Sequence, residues 1–124
     1  MTMTETQVLE IFGTGLANEV ELIVCTQDKN QNYLDVDAVE TAKNEVASVF
    51  TRMFGGATIQ EASGTWLNNG QLEAEKNFLI SASISDEDFT TINLETVKSL
   101  AIDLKDFLNQ DCISLKVNSK RYFI

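Results

Sequence analysis

Residues 57–84 have the sequence ATIQEASGTWLNNGQLEAEKNFLISASI, which contains the clearest structural signal in the chain. Two runs suited to strands, 57–67 and 77–85, flank the dipeptide Asn69-Gly70, which favours the positive φ angles of a tight hairpin turn. We therefore predict two antiparallel strands. In the second strand Leu79 and two serines alternate with an apolar set, so one face is predicted to join the core. The apolar set is Phe78, Ile80, Ala82 and Ile84.

The segment before this hairpin predicts one strand and one helix. The apolar, β-branched run Val20–Thr26 is typical of a central strand. Asp37 and Glu40 have the spacing of a capping box, and apolar residues then recur every three or four positions up to Phe54, where two glycines follow. We expect a helix over residues 37–54 with one apolar stripe facing the sheet.

The segment after the hairpin predicts a second helix and a second hairpin. Asn93 is a good N-cap residue for a helix with a wide apolar stripe. Residues 113–117 and 121–124 flank a turn at Asn118-Ser119 and are expected to pair. The predicted fold is therefore α+β and ferredoxin-like, β-α-β-β-α-β with an extra C-terminal hairpin strand, and both helices lie on one face of an antiparallel sheet.

Residues 1–18 are a possible N-terminal arm. Thr4 and Gln7 have the spacing of a capping box, which predicts a short helix that carries three apolar residues and ends at Gly13. A short strand is the alternative. The chain has no proline and no linker-like stretch, so we expect residues 1–124 to form a single α+β domain.

Charge and cysteine content limit the function and the location. Nineteen acidic residues against nine basic ones give a net charge of -10. Such a surface repels phosphate backbones and anionic lipids, so we expect no direct nucleic-acid binding and no membrane binding. Cys25 and Cys112 are too few for the disulfide framework of a small secreted domain, so a cytoplasmic location is expected.

The absence of histidine removes the commonest general base and the commonest metal ligand. We therefore predict no catalytic residue, no metal and no cofactor, and the sequence favours a protein that is not an enzyme. The loop that starts at Asp28 has oxygen ligands at the first, third and fifth positions of a calcium-binding loop. However, Tyr33 stands where that loop needs glycine and Val39 where it needs glutamate, so calcium is expected to have no effect.

Basic and aromatic residues provide candidates for ligand binding. In an acidic protein, arginine side chains beside aromatic rings are suited to holding an anion with a ring. The candidates are Arg52, Trp66, Glu73, Arg121 and Tyr122. For Trp66 we expect packing instead: Gly64 permits a bulge or a close backbone approach, and the indole is predicted to cover the end of the core near Gly55.

The sheet face away from the helices is expected to form a dimer interface. Ile23, Cys25 and Leu79 lie on that face together with serines and charged residues. Such a face is too apolar to be left in water and too polar for an internal core. We therefore predict a two-fold symmetric homodimer.

The chain resembles a group of small bacterial α+β proteins of uncharacterised activity. The resemblance is carried by Phe-Gly-Gly-Ala-Thr at residues 54–58, Gly-Thr-Trp at 64–66 and the glutamate hairpin that ends at Glu73, followed by an apolar strand and a C-terminal Arg-Tyr-Phe-Ile. It covers residues 20–124. It implies the α+β fold and no particular activity.

Three functions are compatible with these observations. The leading hypothesis is a non-enzymatic binding or regulatory module, a homodimer that contacts another protein. The expected partner is a protein with a basic surface. The first alternative is a small-molecule-binding protein or cofactor-free enzyme of the dimeric ferredoxin-like kind. The second alternative is an acidic inhibitor that occupies the basic groove of a nucleic-acid enzyme.

Overall fold

The computed structural model of the chain describes residues 2–124, which form three helices and one five-stranded sheet. The elements, in chain order, are α1 (Glu5–Phe12), β1 (Asn18–Cys25), α2 (Val36–Phe54), β2 (Thr58–Asn68), β3 (Gln71–Ile84), α3 (Thr91–Phe107), β4 (Ser114–Val117) and β5 (Lys120–Phe123).

The sheet has the order β2-β3-β1-β4-β5, and every neighbouring pair is antiparallel. β1 is therefore central, while β2 and β5 are the two edges. The predicted ferredoxin-like α+β fold with an extra C-terminal strand is confirmed. The C-terminal hairpin adds its strands on the side of β1 away from the β2–β3 hairpin.

The core lies between the sheet and helices α2 and α3. Along β1, Val20, Leu22 and Val24 are fully buried, because alternate side chains of a strand point to the same face. α2 contributes a buried stripe at the predicted helical spacing, and α3 contributes a second one. We call this side of the sheet the covered face, and the side that carries Glu21, Ile23 and Leu79 the open face. The helix residues are Val39, Ala42, Val46, Phe50, Val97, Ala101 and Leu104.

The β2–β3 hairpin is longer than the rest of the sheet. Its turn has positive φ at Asn69 (52°) and Gly70 (80°), as the dipeptide predicts. β2 pairs with β3 as far as Asn68, whereas β1 pairs with β3 only as far as Asn77. Residues 63–76 therefore project as a two-stranded ribbon, which we call the ribbon. The prediction that the second strand begins at residue 77 was too short.

The predicted starts of the two long helices were wrong: α2 begins one residue before the predicted residue 37, and the N-cap of α3 lies three residues before the predicted Asn93. α2 begins at Val36 after Asp35, and Asp35 makes no side-chain cap bond. The predicted capping box fails because Glu40 pairs with Lys43 instead. α3 begins at Thr91, where the hydroxyl of the N-cap residue Thr90 accepts a hydrogen bond from the backbone N–H of Asn93 (3.2 Å). Asn93 therefore lies inside the first turn.

The N-terminal arm contains a helix, α1, as the capping-box spacing predicts. The Thr4 hydroxyl accepts a hydrogen bond from the Gln7 backbone N–H (3.2 Å), and the Gln7 side chain accepts one from the Thr4 backbone N–H (2.8 Å). None of the residues of α1 is buried. Over the described chain, no helix combines the length and the apolar character that a membrane span needs.

Candidate functional site

A cavity of about 520 Å³ lies between the start of α2 and the base of the ribbon, on the covered side of the sheet. Its volume falls in the range of roughly 300–1,000 Å³ that is usual for small-molecule sites. Its walls are mainly apolar, and four polar side chains lie among them. We call it the α2–β3 cavity. Its lining residues are Thr26, Tyr33, Leu34, Val36, Val39, Glu40, Glu61, Lys76 and Phe78.

The loop between β1 and α2 places Tyr33 at this cavity. The Leu34 backbone N–H donates to the Thr26 carbonyl (2.8 Å), and Tyr33 pairs with Gln27 in an isolated β-bridge. These bonds fix the backbone of the loop. The Tyr33 side chain remains 79% exposed, so its ring is available to pack on a ligand.

In the same loop, Asp28, the first residue of the calcium-like pattern, binds the backbone of its own loop. One oxygen of the Asp28 carboxylate accepts hydrogen bonds from the backbone N–H groups of Asn30 (2.8 Å) and Asn32 (3.0 Å). Hydrogen bonds to backbone N–H groups lower the pKa of Asp28. No group of three or more Cys, Asp or Glu within residues 2–124 is arranged to hold a metal ion. The absence of a metal and of a cofactor stays a prediction.

Charged and aromatic side chains meet at the floor and rim of the cavity. The Lys43 ammonium lies 4.7 Å from the centre of the Phe78 ring and 2.6 Å from a Glu40 carboxylate oxygen. On the ribbon, Lys76 Nζ lies 3.3 Å from Glu61 Oε1, and both side chains are more than half exposed. An exposed pair of this kind contributes little to stability, so either partner can exchange its contact for a ligand group.

A second polar cluster lies on the open face at the base of the ribbon. Burial raises the pKa of the Cys25 thiol to about 12, and the neighbouring Glu75 carboxylate adds to the shift. Burial also raises the pKa of Glu75, although hydrogen bonds from Gln27 and Cys25 oppose this. A thiol that holds its proton so firmly is a poor nucleophile at neutral pH. This cluster therefore offers no reactive sulfur.

Gly64 lies directly opposite Glu75 in the ribbon. The pairing of β2 with β3 runs through Gly64 without interruption, so the predicted bulge is absent. The predicted close approach is present, because a Cβ atom at Gly64 would lie 3.1 Å from the side-chain amide of Asn77. Gly64 thus leaves room for the amide on the open side.

Trp66 is not a lid on the core, contrary to the prediction. It lies near the tip of the ribbon, directly opposite Glu73 and on the open side. The core cluster, as far as residues 2–124 define it, does not include it. The reason is the uninterrupted pairing of β2 with β3, which continues beyond β1 and places Trp66 in the ribbon.

The five predicted ligand-binding residues do not meet in one cleft of the chain. Trp66 and Glu73 lie on the β2–β3 hairpin, whereas Arg121 and Tyr122 lie on β5 at the other edge of the sheet. Arg52 is exposed in the last turn of α2. Only Trp66 and Glu73 lie beside each other on the same face of the sheet, because Arg121 and Tyr122 are consecutive in β5 and point to opposite faces. A binding role for any of the five stays a prediction.

Arg121 is engaged within the chain. Its guanidinium lies 3.2 Å from an oxygen of Glu21, whose side chain is 11% exposed, and it also donates to the Ser114 hydroxyl. It thereby neutralises a largely buried carboxylate on the open face. Tyr122 points to the opposite side of the sheet, beside Leu115 and Lys98.

The sequence-based search missed the residues of the α2–β3 cavity. The hairpin register could have identified two of these residues. Counting outward from the Asn69-Gly70 turn places Glu61 opposite Phe78 and on the covered face. Tyr33 had no such signal, because its position depends on the fold of an irregular loop.

The chain is similar to several solved structures. No protein-family model matches it, and no curated sequence matches it. Among solved structures, a phage SAM lyase in complex with S-methyl-5'-thioadenosine is 17% identical, with a TM-score of 0.59 over 90% of this chain and 91% of that chain. The same kind of enzyme in its apo state is 18% identical, with a TM-score of 0.57 over 87% and 88%.

A periplasmic divalent cation tolerance protein, CutA from Archaeoglobus fulgidus, is a more distant neighbour. It is 10% identical, with a TM-score of 0.45 over 81% of this chain and 79% of that chain. The similarity to the phage enzyme, at 17% and 18% identity, shows the ferredoxin-like fold alone.

Proposed function

We propose that the chain binds an adenosyl sulfur compound of the S-adenosylmethionine class in the α2–β3 cavity. The observation that carries the proposal is the chemistry of the cavity, which combines two aromatic rings with two carboxylates and an ammonium at its rim. The fold similarity to a SAM lyase that holds S-methyl-5'-thioadenosine supports the choice of ligand.

Each part of such a ligand has a counterpart in the cavity. A purine ring packs on aromatic faces such as those of Tyr33 and Phe78. The sulfonium and amino groups are cations and are attracted by the carboxylates of Glu40 and Glu61. The ligand carboxylate is attracted by Lys76, which gives up its exposed contact with Glu61.

The chemistry of a sulfonium also accounts for a site without histidine. When the bond from sulfur to the amino-acid carbon breaks, its electron pair stays on sulfur and leaves neutral S-methyl-5'-thioadenosine. The leaving group needs no proton, so a general acid is not required. As that bond breaks, the four-carbon fragment either bonds to its own carboxylate oxygen and gives a lactone, or loses a proton to water or a carboxylate and gives an unsaturated amino acid. The two products are isomers of equal mass, and proton NMR distinguishes them by the vinyl signals of the second.

Thermal unfolding with S-adenosylmethionine or S-methyl-5'-thioadenosine tests binding. A ligand present at about 100 times its dissociation constant stabilises the folded state by about 2.7 kcal/mol, which raises the melting temperature by several degrees. Mass spectrometry of the same mixtures then measures release of S-methyl-5'-thioadenosine. Stabilisation without release would limit the function to binding, and no stabilisation by either compound would refute the proposal.

Two pairs of variants test the position of the site. Tyr33→Ala is expected to weaken ligand binding at least tenfold, whereas Tyr122→Ala, the other tyrosine of the chain, is its matched control. Glu61→Gln is expected to weaken binding of S-adenosylmethionine more than that of the uncharged thioether. Glu73→Gln, on the other side of the ribbon, is the control. Equal effects within either pair would contradict this site.

The second candidate function is the homodimeric module that contacts another protein. It is favoured by Ile23 and Leu79, which lie directly opposite one another in adjoining strands of the open face and remain partly exposed. A second copy packed on this face would cover both residues and Cys25. A partner with a basic surface suits the net charge of -10.

The remaining sequence-based hypotheses stay predictions. These are inhibition of a nucleic-acid enzyme, a cytoplasmic location and membership in the group of bacterial proteins with the Phe-Gly-Gly-Ala-Thr pattern. A pull-down with mass spectrometry of bound proteins and metabolites separates the inhibitor from the small-molecule binder.

A further inference from the structure

Helix α1 exposes an apolar face that its own chain does not bury. Val8, Leu9 and Phe12 follow one another at helical spacing, and their exposed fractions range from 43% to 78%. An isolated helix of this length is marginal in water, where roughly 12–15 residues are needed for stability. The capping box at Thr4 nevertheless specifies the helix. A folded α1 therefore requires a packing partner.

A groove of about 500 Å³ on the same molecule has an unfilled apolar surface. It lies between α3 and β5, where Tyr122 and Phe123 are about half and 70% exposed. Its outer side is the unpaired edge of the sheet. We call it the α3–β5 groove. Its lining residues are Leu94, Lys98, Leu115, Tyr122, Phe123 and Ile124.

The arm and the groove carry opposite charges. Residues 2–17 contain two glutamates and no lysine or arginine. On the covered side of the sheet, Lys120 of β5 and the groove-lining Lys98 are basic, whereas Lys116 and Arg121 lie on the open face beside Glu21. In a chain of net charge -10, two lysines on this side of the sheet give the rim of the groove a positive charge. An acidic amphipathic helix is the ligand that such a groove attracts.

We propose that α1 docks in the α3–β5 groove of a second copy of the chain, with Leu9 and Phe12 in the groove and Glu5 at its Lys98 rim. Glu5, Leu9 and Phe12 have the i, i+4, i+7 spacing of one helix face, whereas Glu10 lies on the opposite face. Each copy has one arm and one groove, so a two-fold pair exchanges both and leaves neither exposed. The proposal does not depend on the ligand of the α2–β3 cavity.

Cross-linking between labelled copies tests this exchange. A photoreactive amino acid replaces Phe12, and the protein is prepared once with nitrogen-14 and once with nitrogen-15. Equal amounts of the light and heavy proteins are mixed before irradiation. We expect cross-links from the arm to residues 114–124 that join light and heavy peptides. Cross-links confined to one isotope would mean that the arm docks on its own chain, and cross-links to another surface would overturn the proposal as well.

Charge exchange tests the contact at the rim. Glu5→Lys and Lys98→Glu are each expected to raise the dimer dissociation constant roughly tenfold, and the double variant to restore it, because the attraction is reversed and then re-formed. Glu10→Lys and Lys29→Glu are the matched controls with the same changes of charge. All these side chains are exposed, so folding is retained. Equal weakening by the controls, a dimer unaffected by deletion of residues 2–12, or a monomeric wild type at tens of micromolar would overturn the proposal.

Discussion

The two ends of the β2–β3 hairpin are built from the same strands but differ in what covers them. At the base, Ile80 and Ile84 are fully buried against the helices. Toward the tip, the ribbon extends beyond β1, and Trp66 and Glu73 face one another outside the core cluster of the described chain. The α2–β3 cavity lies where the cover by α2 ends and the ribbon continues. A long hairpin thus provides stability at one end and a binding surface at the junction.

The largest expected effect is at the covered end. Phe50 is fully buried on α2, so Phe50→Ala is expected to lower the free energy of unfolding by about 3–5 kcal/mol. Urea denaturation followed by circular dichroism measures the change. A loss below about 1 kcal/mol would mean that α2 does not hold the covered end of the sheet.

The projecting end is expected to respond much less to the same kind of truncation. Trp66 lies opposite Glu73 in the ribbon and outside the core cluster defined over residues 2–124, and a cross-strand pair contributes roughly 0.2–1 kcal/mol. Trp66→Ala is therefore expected to lower the free energy of unfolding by about 1 kcal/mol in the same urea experiment. A loss equal to that of Phe50→Ala would restore the prediction that Trp66 covers the core.

The contrast between the two ends was only partly predictable from the sequence. The hairpin was predicted correctly because Asn69-Gly70 fixes the turn and the alternation after Asn77 fixes the buried face. The ribbon was missed because residues 71–76 are polar on one side and carry no burial signal. The start of α3 was misplaced because several nearby residues are suited to the N-cap position. The Thr90 hydroxyl caps the Asn93 backbone N–H, while the Asn93 side-chain amide donates to the Asp88 carbonyl (2.8 Å).

The candidate site was less predictable than the fold. Trp66 and Arg121 stood out by residue type, yet residue type does not indicate which edge of a sheet a strand occupies. The strand order β2-β3-β1-β4-β5 separates them. Tyr33 and Phe78 looked like ordinary loop and core residues, and only their position beside Glu61 makes them candidates for binding.

The open face of the sheet, at the base of the hairpin, is expected to affect self-association more than the stability of the fold. For a homodimer that pairs through the open face, the second candidate function above, Ile23→Lys together with Leu79→Lys is expected to give a monomer in light scattering, because the two lysines place like charges at the centre of that face. The melting temperature measured at low protein concentration reports whether folding is retained. An unchanged dimer would show that this face is not the interface.

The smallest expected effect is a pH dependence at the base of the ribbon. Burial raises the pKa of Glu75 above its ordinary value of 4.5, so the folded state binds this proton more tightly than the unfolded state does. Its contribution to stability is therefore full below the ordinary pKa and is lost as the pH rises through the raised pKa.

Glu75→Gln removes this loss. The variant is expected to melt slightly higher than the wild type at pH 7 and at the same temperature at about pH 3.5, where both side chains are neutral. Gln in place of Glu73 is the control on the same strand. A difference that is the same at both pH values would contradict the assignment to Glu75.

Chemical-shift mapping of a bound ligand is the decisive test of a binding site in the α2–β3 cavity. Amide chemical shifts of labelled protein are followed during titration with S-adenosylmethionine. We predict that the largest changes occur at the junction, at Tyr33, Leu34 and Phe78, and that the amides of Trp66 and Glu73 move little. Largest changes at the ribbon tip or the C-terminal hairpin, or no changes at millimolar ligand, would contradict a binding site in the α2–β3 cavity.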